Sequence, residues 1–190
     1  PEQTPTLDNF VAGANAELIA ALRQGRDRLY LWGPSGSGKS HLLAAAAAVE
    51  GLHVVDDVHR LTDATQEDLF RLFNQGARIL LAGNAPPSQL ALREDLRTRI
   101  GQMLVYEVKA LSDDEKSTAL TCHALQRGMK VDDGLVRYIL SRGRRDLPSL
   151  MAMLNNLDRA SLEQKRPPTL PLLRELMQTT LDLDKDSGPT

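Results

Sequence analysis

The chain has 190 residues, of which 42% are hydrophobic and 25% are charged, and its formal net charge at pH 7 is −2. This length accommodates one large domain, or a medium domain with a small one, and the composition is that of a globular protein rather than a disordered chain. The chain has no excess of basic residues, which disfavours sequence-independent nucleic-acid binding by the whole chain. It also has no long apolar stretch and no secretory signal pattern, which predicts a cytoplasmic protein without a membrane partner.

The first predicted elements lead into a glycine-rich turn. Apolar residues at helical spacing predict a helix over 14–23, which Gly25 ends. A short apolar run predicts a buried strand over 29–32. The alanine-rich stretch 41–49 predicts a helix directly after the turn.

The turn between this strand and this helix has the spacing Gly-x-x-x-x-Gly-Lys-Ser of a phosphate-binding loop, the Walker A motif. In that motif, backbone N–H groups surround the β-phosphate, the lysine binds the β and γ oxygens, and the serine hydroxyl ligates Mg²⁺. A glycine–serine linker is the alternative, but a linker seldom lies between an apolar strand and an alanine helix. We therefore expect ADP or ATP with Mg²⁺ to be bound by a run of consecutive residues: Gly33, Pro34, Ser35, Gly36, Ser37, Gly38, Lys39, Ser40 and His41.

Polar side chains follow the next two predicted strands, over 52–55 and 78–82, which a helix over 64–73 separates. Asp56 is predicted to hold Mg²⁺ and Asp57 to orient or polarise the attacking water, although an acidic turn after a strand is a common alternative. Asn84 is predicted to contact the γ-phosphate or its water. The alternative interpretation is that Asn84 is a turn residue before the two prolines that follow.

The remaining pattern divides the chain into an α/β part and a helical part. An apolar strand is predicted over 103–108, and strands alternating with helices predict a parallel sheet with its ligand at the carboxyl edge. After residue 110 only helices are predicted, over 113–126, 132–141, 146–164 and 170–177, with Ser112 and Glu115 forming a capping box. The expected domains are a nucleotide-binding domain over 1–110, a helical domain over 111–178 and a disordered acidic tail over 179–190.

Taken in order, the segments GPSGSGKS, VVDDV, LAGN, LRTRI and RRDLPSL resemble AAA+ ATPases of the DnaA/Hda clade. Within this clade, TLDNFVAGANAEL, REDLRTRI and DRASLEQKRPPTLPLLREL are most similar to the Hda family of regulatory inactivators of DnaA. The resemblance covers nearly all of residues 6–177. It implies the P-loop AAA+ fold, with helices on both faces of a parallel sheet and a small all-helical lid domain after it.

The resemblance also implies roles for individual residues. Phe10 and Val11 match the segment that packs against adenine, and Asn84 matches sensor 1. Arg99 matches the arginine finger, whose guanidinium reaches the γ-phosphate in a neighbouring subunit and stabilises transition-state charge. Arg145 matches the sensor 2 arginine, which contacts the nucleotide of its own chain.

The function implied by this resemblance is regulatory. Hda-like proteins, bound to ADP and to the DNA sliding clamp, insert the finger into ATP-loaded DnaA and promote its hydrolysis, which represses re-initiation. We therefore expect DnaA as a partner through Arg99, together with self-association and only slow ATP hydrolysis by the protein itself. Clamp binding depends on the family alone, because no glutamine-leucine clamp motif is visible near Gln3. No helix-turn-helix pattern follows the last helix, so a DNA-binding domain is not expected.

Two questions stay open at this level. Only the stretch 41–50 separates Ser40 from Gly51, which accommodates one helix but not the extra strand and helix usual in AAA+ domains. The sheet is therefore either reduced by an edge strand, or a segment has been left out of the numbering. The intact loop and acids also allow an autonomous ATPase, such as a helicase loader, or a DnaA-like initiator fragment. A purely structural clamp adaptor fits poorly with a complete phosphate-binding loop.

Overall fold

The computed structural model describes residues 4–143 and 146–186, and describes side chains within these ranges up to residue 178. The chain forms two compact units, with the boundary between Leu111 and Ser112. None of the helices in the described ranges has both the length and the apolar character needed to cross a bilayer.

The first unit alternates helices and strands: α1 (Ala16–Arg23), β1 (Arg28–Trp32), α2 (Lys39–Ala46), β2 (Leu52–Val55), α3 (Asp63–Asn74), β3 (Arg78–Gly83), α4 (Glu94–Gly101) and β4 (Leu104–Glu107). The strands lie in the order β2-β3-β1-β4, and each pairing is parallel. β1 and β3, which carry the most buried residues, are the central strands. The predicted parallel α/β sheet is confirmed.

Alternating side chains of the two central strands build a hydrophobic core on each face of the sheet. The face covered by α1 and α2 buries Leu29, Leu31, Leu80 and Ala82. The face covered by α3 and α4 buries Tyr30, Ile79 and Leu81. Because successive residues of a strand point to opposite faces, these fully apolar strands require helices on both sides. That part of the prediction is also confirmed.

The structure differs from the predicted elements at two places in this unit. α2 ends at Ala46 rather than at residue 49, because the chain turns through Gly51 (φ +74°) to begin β2. β2 thus follows α2 directly and forms one edge of the sheet, as the reduced-sheet alternative requires. α4 occupies a segment for which no helix was predicted. It buries only two apolar side chains, Leu96 and Ile100.

The second unit contains four helices within the described residues: α5 (Asp113–Gln126), α6 (Asp133–Arg142), α7 (Leu147–Gln164) and α8 (Leu170–Asp186). Its core consists mainly of leucines contributed by all four helices. The predicted capping box is present, since Ser112 Oγ accepts from Glu115 N (3.2 Å) and Glu115 Oε2 accepts from Ser112 N (2.8 Å). The predicted all-helical character of this unit is confirmed.

The predicted disordered tail over 179–190 is corrected in part. α8 continues through residues 179–186, where the prediction ended the helix at residue 177. No glycine or proline occurs between Leu173 and Asp186, so the sequence offers no helix-terminating residue before Gly188.

Candidate nucleotide-binding site

The loop from Gly33 to Gly38 joins the carboxyl end of β1 to the first turn of α2. Gly36 (φ +77°) and Gly38 (φ +100°) both have left-handed backbone conformations that favour glycine. A Cβ atom at Gly33 would overlap the carbonyl oxygen of Val108, so glycine is also required there by close packing. The sequence thus forms the loop that its spacing predicts, with backbone N–H groups at a helix N-terminus available to an anion.

Lys39 is buried, and its amine is held inside the loop. Nζ donates hydrogen bonds to the carbonyl oxygens of Gly33 (2.7 Å) and Pro34 (2.8 Å). Burial lowers the pKa of Lys39, and the nearby carboxylates of Asp56 and Asp57 oppose this shift without reversing it. A desolvated ammonium is stabilised by an added anion, so the loop offers a favourable position for phosphate oxygens.

Ser40 and Asp56 are brought into contact by the packing of α2 beside the end of β2. The Ser40 hydroxyl donates to Asp56 Oδ2 at 2.6 Å, and Asp56 Oδ1 accepts from the backbone N–H of Asp57 at 2.8 Å. Among the described residues there is no group of three or more histidine, cysteine or acidic side chains that could hold a metal. One hydroxyl and one carboxylate fit Mg²⁺, which is usually bound through few protein ligands with water and phosphate completing the shell.

Asp57 and Asn84 lie at the same carboxyl edge of the sheet. Asp57 has a left-handed backbone conformation (φ +49°), and its half-exposed carboxylate lies 4.0 Å from His59 Nε2 and 3.9 Å from Arg60 Nη1. Asn84 is exposed and directly follows Gly83, which pairs with Trp32 just before the phosphate-binding loop. The proposed actions of Asp57 on water and of Asn84 on the γ-phosphate stay predictions.

The segment before α1 lies against the phosphate-binding loop. The ring of Phe10 packs on Gly38, where an added Cβ would lie 2.7 Å from Phe10 Cε2. The centroids of the Phe10 and His41 rings are 5.4 Å apart. His41 Nε2 is 3.0 Å from the carbonyl oxygen of Thr6, and Val11 is partly buried. The structure therefore brings together Phe10, Gly38 and His41, three residues that the sequence analysis assigned to one site.

Arg99 lies on α4, on the opposite side of the sheet from α2. Its guanidinium is 5.0 Å from the ring centroid of Phe70 on α3, and it lies on an open surface formed by polar residues of the segment 93–102. The neighbouring Arg93 lies 5.8 Å from the same ring and pairs with Glu67 and Asp95, each at 2.7 Å.

No ion pair involves Arg99 within the part of the chain that the structure describes, and its side chain is only partly buried. The guanidinium is therefore at the surface rather than in the core. Arg145, the predicted sensor 2 arginine, lies outside the described residues.

Residues 113–177 match the family model described as the Hda lid domain. The fold is similar to that of domain III of the replication initiation protein DnaA from Thermotoga maritima, with a TM-score of 0.74, 16% identity, and coverage of 94% of this chain and 97% of that one. Together, the two comparisons identify an Hda-type lid domain over residues 113–177 and a DnaA-like fold for the chain.

Two further solved structures have a similar fold. AMPPCP-bound DnaA from Aquifex aeolicus has a TM-score of 0.67 and 19% identity, with coverage of 82% of this chain and 65% of that one. The RuvB Holliday junction branch migration motor of Thermotoga maritima has a TM-score of 0.66 and 21% identity, with coverage of 92% and 72%. At these identities the likeness concerns the fold.

Sequence reasoning did not identify two contacts, that of Phe70 with Arg99 and that of Asn15 with Lys109. Phe70 was interpreted only as part of a helix, although its place three residues before the buried Phe73 indicates a second aromatic side chain beside the core face. Asn15 binds the backbone of Lys109, 94 residues away, and no local pattern could have indicated that contact.

Proposed function

We propose that this AAA+ protein binds ADP or ATP with Mg²⁺ and, in its nucleotide-bound form, promotes hydrolysis of ATP bound to DnaA through Arg99. Its biological role would then be repression of replication re-initiation, as in the Hda family. The observation that carries the proposal is Arg99, a partly exposed guanidinium lying against Phe70 on an open surface of α4, without an ion pair among the described residues.

The nucleotide-binding part of the proposal is supported by the loop geometry. Gly33 to Gly38 provides backbone donors, Lys39 provides a buried charge, and Ser40 with Asp56 fits Mg²⁺. A related DnaA structure contains the ATP analogue AMPPCP. Phe10 and Val11 would contact the adenine end, Asn84 would contact the γ-phosphate, and Arg145 would contact the nucleotide from the lid.

The regulatory part of the proposal is supported by the lid match and by the surface position of Arg99. A permanently charged guanidinium stabilises the charge that develops on a transferring phosphoryl group, and a cation supplied by another subunit can raise hydrolysis rates about 10³-fold or more. Because Arg99 is not neutralised by a described carboxylate, it is available to a partner's triphosphate. The DNA sliding clamp and self-association are included as partners by analogy with the family.

The test measures the decay of ATP bound to DnaA after addition of this protein, ADP and DNA-loaded clamp. Wild-type protein should accelerate the decay, and Arg99→Ala should abolish most of that acceleration. Arg97→Ala is the matched control, since it removes the same charge from the same helix and should retain activity. Equal decay rates with wild type and Arg99→Ala would show that Arg99 is not the arginine finger.

An autonomous ATPase or a DnaA-like initiator fragment is the second candidate. Two observations favour it: the likeness to DnaA domain III, of which 97% is covered by this chain, and the presence of Asp56 and Asp57. Asp57 is one methylene shorter than the glutamate more usual in this position, so we expect slow turnover. Turnover of about 1 per second or faster without DnaA would favour the second candidate.

A further inference from the structure

Asn15 occupies the N-cap position of α1, yet its side chain does not cap the helix. An asparagine at this position usually accepts a hydrogen bond from the first turn, which stabilises the helix. Instead, Asn15 Nδ2 donates to the carbonyl oxygen of Lys109 (2.9 Å), and Asn15 Oδ1 accepts from the backbone N–H of Lys109 (2.8 Å). The side chain is 4% exposed and joins segments 94 residues apart.

The partner of Asn15 lies next to the phosphate-binding loop. Lys109 follows Val108, whose N–H donates to the carbonyl oxygen of Trp32 at 2.7 Å and whose carbonyl oxygen packs on Gly33. The two-residue segment 108–109 therefore contacts the beginning of the loop through Val108 and Asn15 through Lys109.

Asn15 also closes the turn that leads back to Phe10. Its backbone N–H donates to the carbonyl oxygen of Ala12 at 2.8 Å, across Gly13 in a left-handed conformation (φ +49°). Phe10, two residues before Ala12, packs on Gly38 and beside His41. The contacts thus form a continuous path from the phosphate-binding loop, through 108–109 and Asn15, to Phe10.

We propose that Asn15 is a positioning residue that holds the adenine-contacting segment, with Phe10 and Val11, at a set position relative to the phosphate-binding loop. This inference rests on the proposed binding of ADP or ATP. The buried Asn15 amide makes two hydrogen bonds to the backbone of Lys109, and these hold the segment of Phe10 and Val11 in place. A segment that is ordered in advance lowers the entropy cost of ligand binding. Because the turn from Asn15 to Ala12 leads directly to Phe10 and Val11, loss of Asn15 should affect the base end of the nucleotide more than its phosphates.

The test compares affinities for ADP and for pyrophosphate, the latter measured by competition against ADP. Asn15→Ala should weaken ADP binding about tenfold, as expected if the segment keeps its binding arrangement in only about a tenth of the variant molecules, and should leave pyrophosphate affinity within about twofold of wild type. Equal losses for both ligands, or no loss for either, would overturn the positioning role. If wild type binds neither ligand, the proposed nucleotide function fails instead.

Gln66→Ala is the matched control for lost stability. Gln66 is also a buried amide with two backbone partners, Leu61 O (3.2 Å) and Arg93 N (3.0 Å), but it lies on the other face of the sheet. Its replacement should lower the melting temperature without changing ADP affinity.

Asn15→Ser provides a second variant in case Asn15→Ala folds poorly. Serine is too short to reach Lys109 but keeps a polar group at this position, so ADP affinity should fall as it does in Asn15→Ala. Wild-type ADP affinity in Asn15→Ser would also overturn the proposal.

Discussion

Ser40 Oγ lies 2.6 Å from Asp56 Oδ2, a hydrogen bond that joins the first turn of α2 to the chain just after β2. The hydroxyl and the carboxylate are therefore adjacent, so both oxygens could belong to one Mg²⁺ shell after a small adjustment. This contact links the two motifs that the sequence placed 16 residues apart.

The first prediction concerns the Mg²⁺ dependence of nucleotide binding. Wild type should bind ADP more tightly with Mg²⁺ than with EDTA, and Asp56→Ala should lose most of that difference because a metal ligand is removed. Titration calorimetry in the two buffers measures it. Asp63→Ala, which removes an exposed carboxylate from the first turn of α3, is the control. A Mg²⁺ effect that persists in Asp56→Ala would exclude Asp56 as a metal ligand.

The second prediction concerns Lys39 and pH. Because burial lowers the pKa of Lys39 from 10.5, the unfolded chain keeps this proton to higher pH than the folded chain does. The charged lysine therefore costs stability at neutral pH, and this cost decreases as pH rises through the interval between the folded and unfolded pKa values. The stability of wild type relative to Lys39→Met should therefore increase as pH rises from 7 towards 10.

Urea unfolding at several pH values measures the Lys39 effect, with exposed Lys130→Met as the control for loss of one positive charge. The same Lys39→Met protein should lose at least tenfold in ADP affinity, because the β-phosphate loses its ammonium partner. A stability difference that does not change between pH 7 and pH 10, or normal ADP binding by the variant, would contradict this account of Lys39.

The third prediction concerns the contact between Gly38 and Phe10. Gly38→Ala should weaken ADP binding because its Cβ would displace the Phe10 ring, and it should also lose about 1 kcal/mol of stability from backbone strain. Gly76→Ala has similar strain (φ +74°) with no atom within 4 Å of the added Cβ. It should therefore lose stability alone. Comparable ADP affinities for the two variants would show that the Phe10 contact is unimportant.

The fourth prediction concerns the ring beneath Arg99. Phe70→Leu should reduce the stimulation of DnaA-bound ATP hydrolysis about two- to fivefold, because a cation–π contact at the surface contributes about 0.5–1 kcal/mol. ADP affinity of the variant should stay unchanged. Tyr138→Leu is the control, since Tyr138 also has an arginine over its ring, Arg174 at 5.2 Å, but lies in the helical unit. Full stimulation by Phe70→Leu would argue against positioning of Arg99 by this ring.

The fifth prediction concerns the end of α7, where Lys165 has a left-handed conformation (φ +51°). Glycine is favoured at such a helix end, so Lys165→Gly should stabilise the helical unit by about 0.5–1 kcal/mol in urea unfolding. Lys130→Gly, at a position without positive φ, should instead be neutral or destabilising. Destabilisation by Lys165→Gly would mean that the lysine makes a compensating contact.

Much of the candidate site was predictable because its signals are local. The strand, loop and helix from residue 29 to residue 46 follow from a short apolar run, glycine spacing and alanine content. The four helices of the second unit follow equally from apolar periodicity and caps such as Ser112. α4 was not predicted because Leu96 and Ile100 alone, among charged neighbours, give too weak a helical periodicity of apolar residues.

The sequence by itself determined the phosphate-binding loop, the alternation of strands and helices, and the change to helices after residue 110. These features depend on backbone preferences and side-chain periodicity within a few neighbouring residues. Only the tertiary structure decided that β2 is an edge strand, that Asn15 binds Lys109, and that Phe70 lies beneath Arg99. Those contacts join residues far apart in the chain, and they form only when both faces of the sheet are packed against their helices.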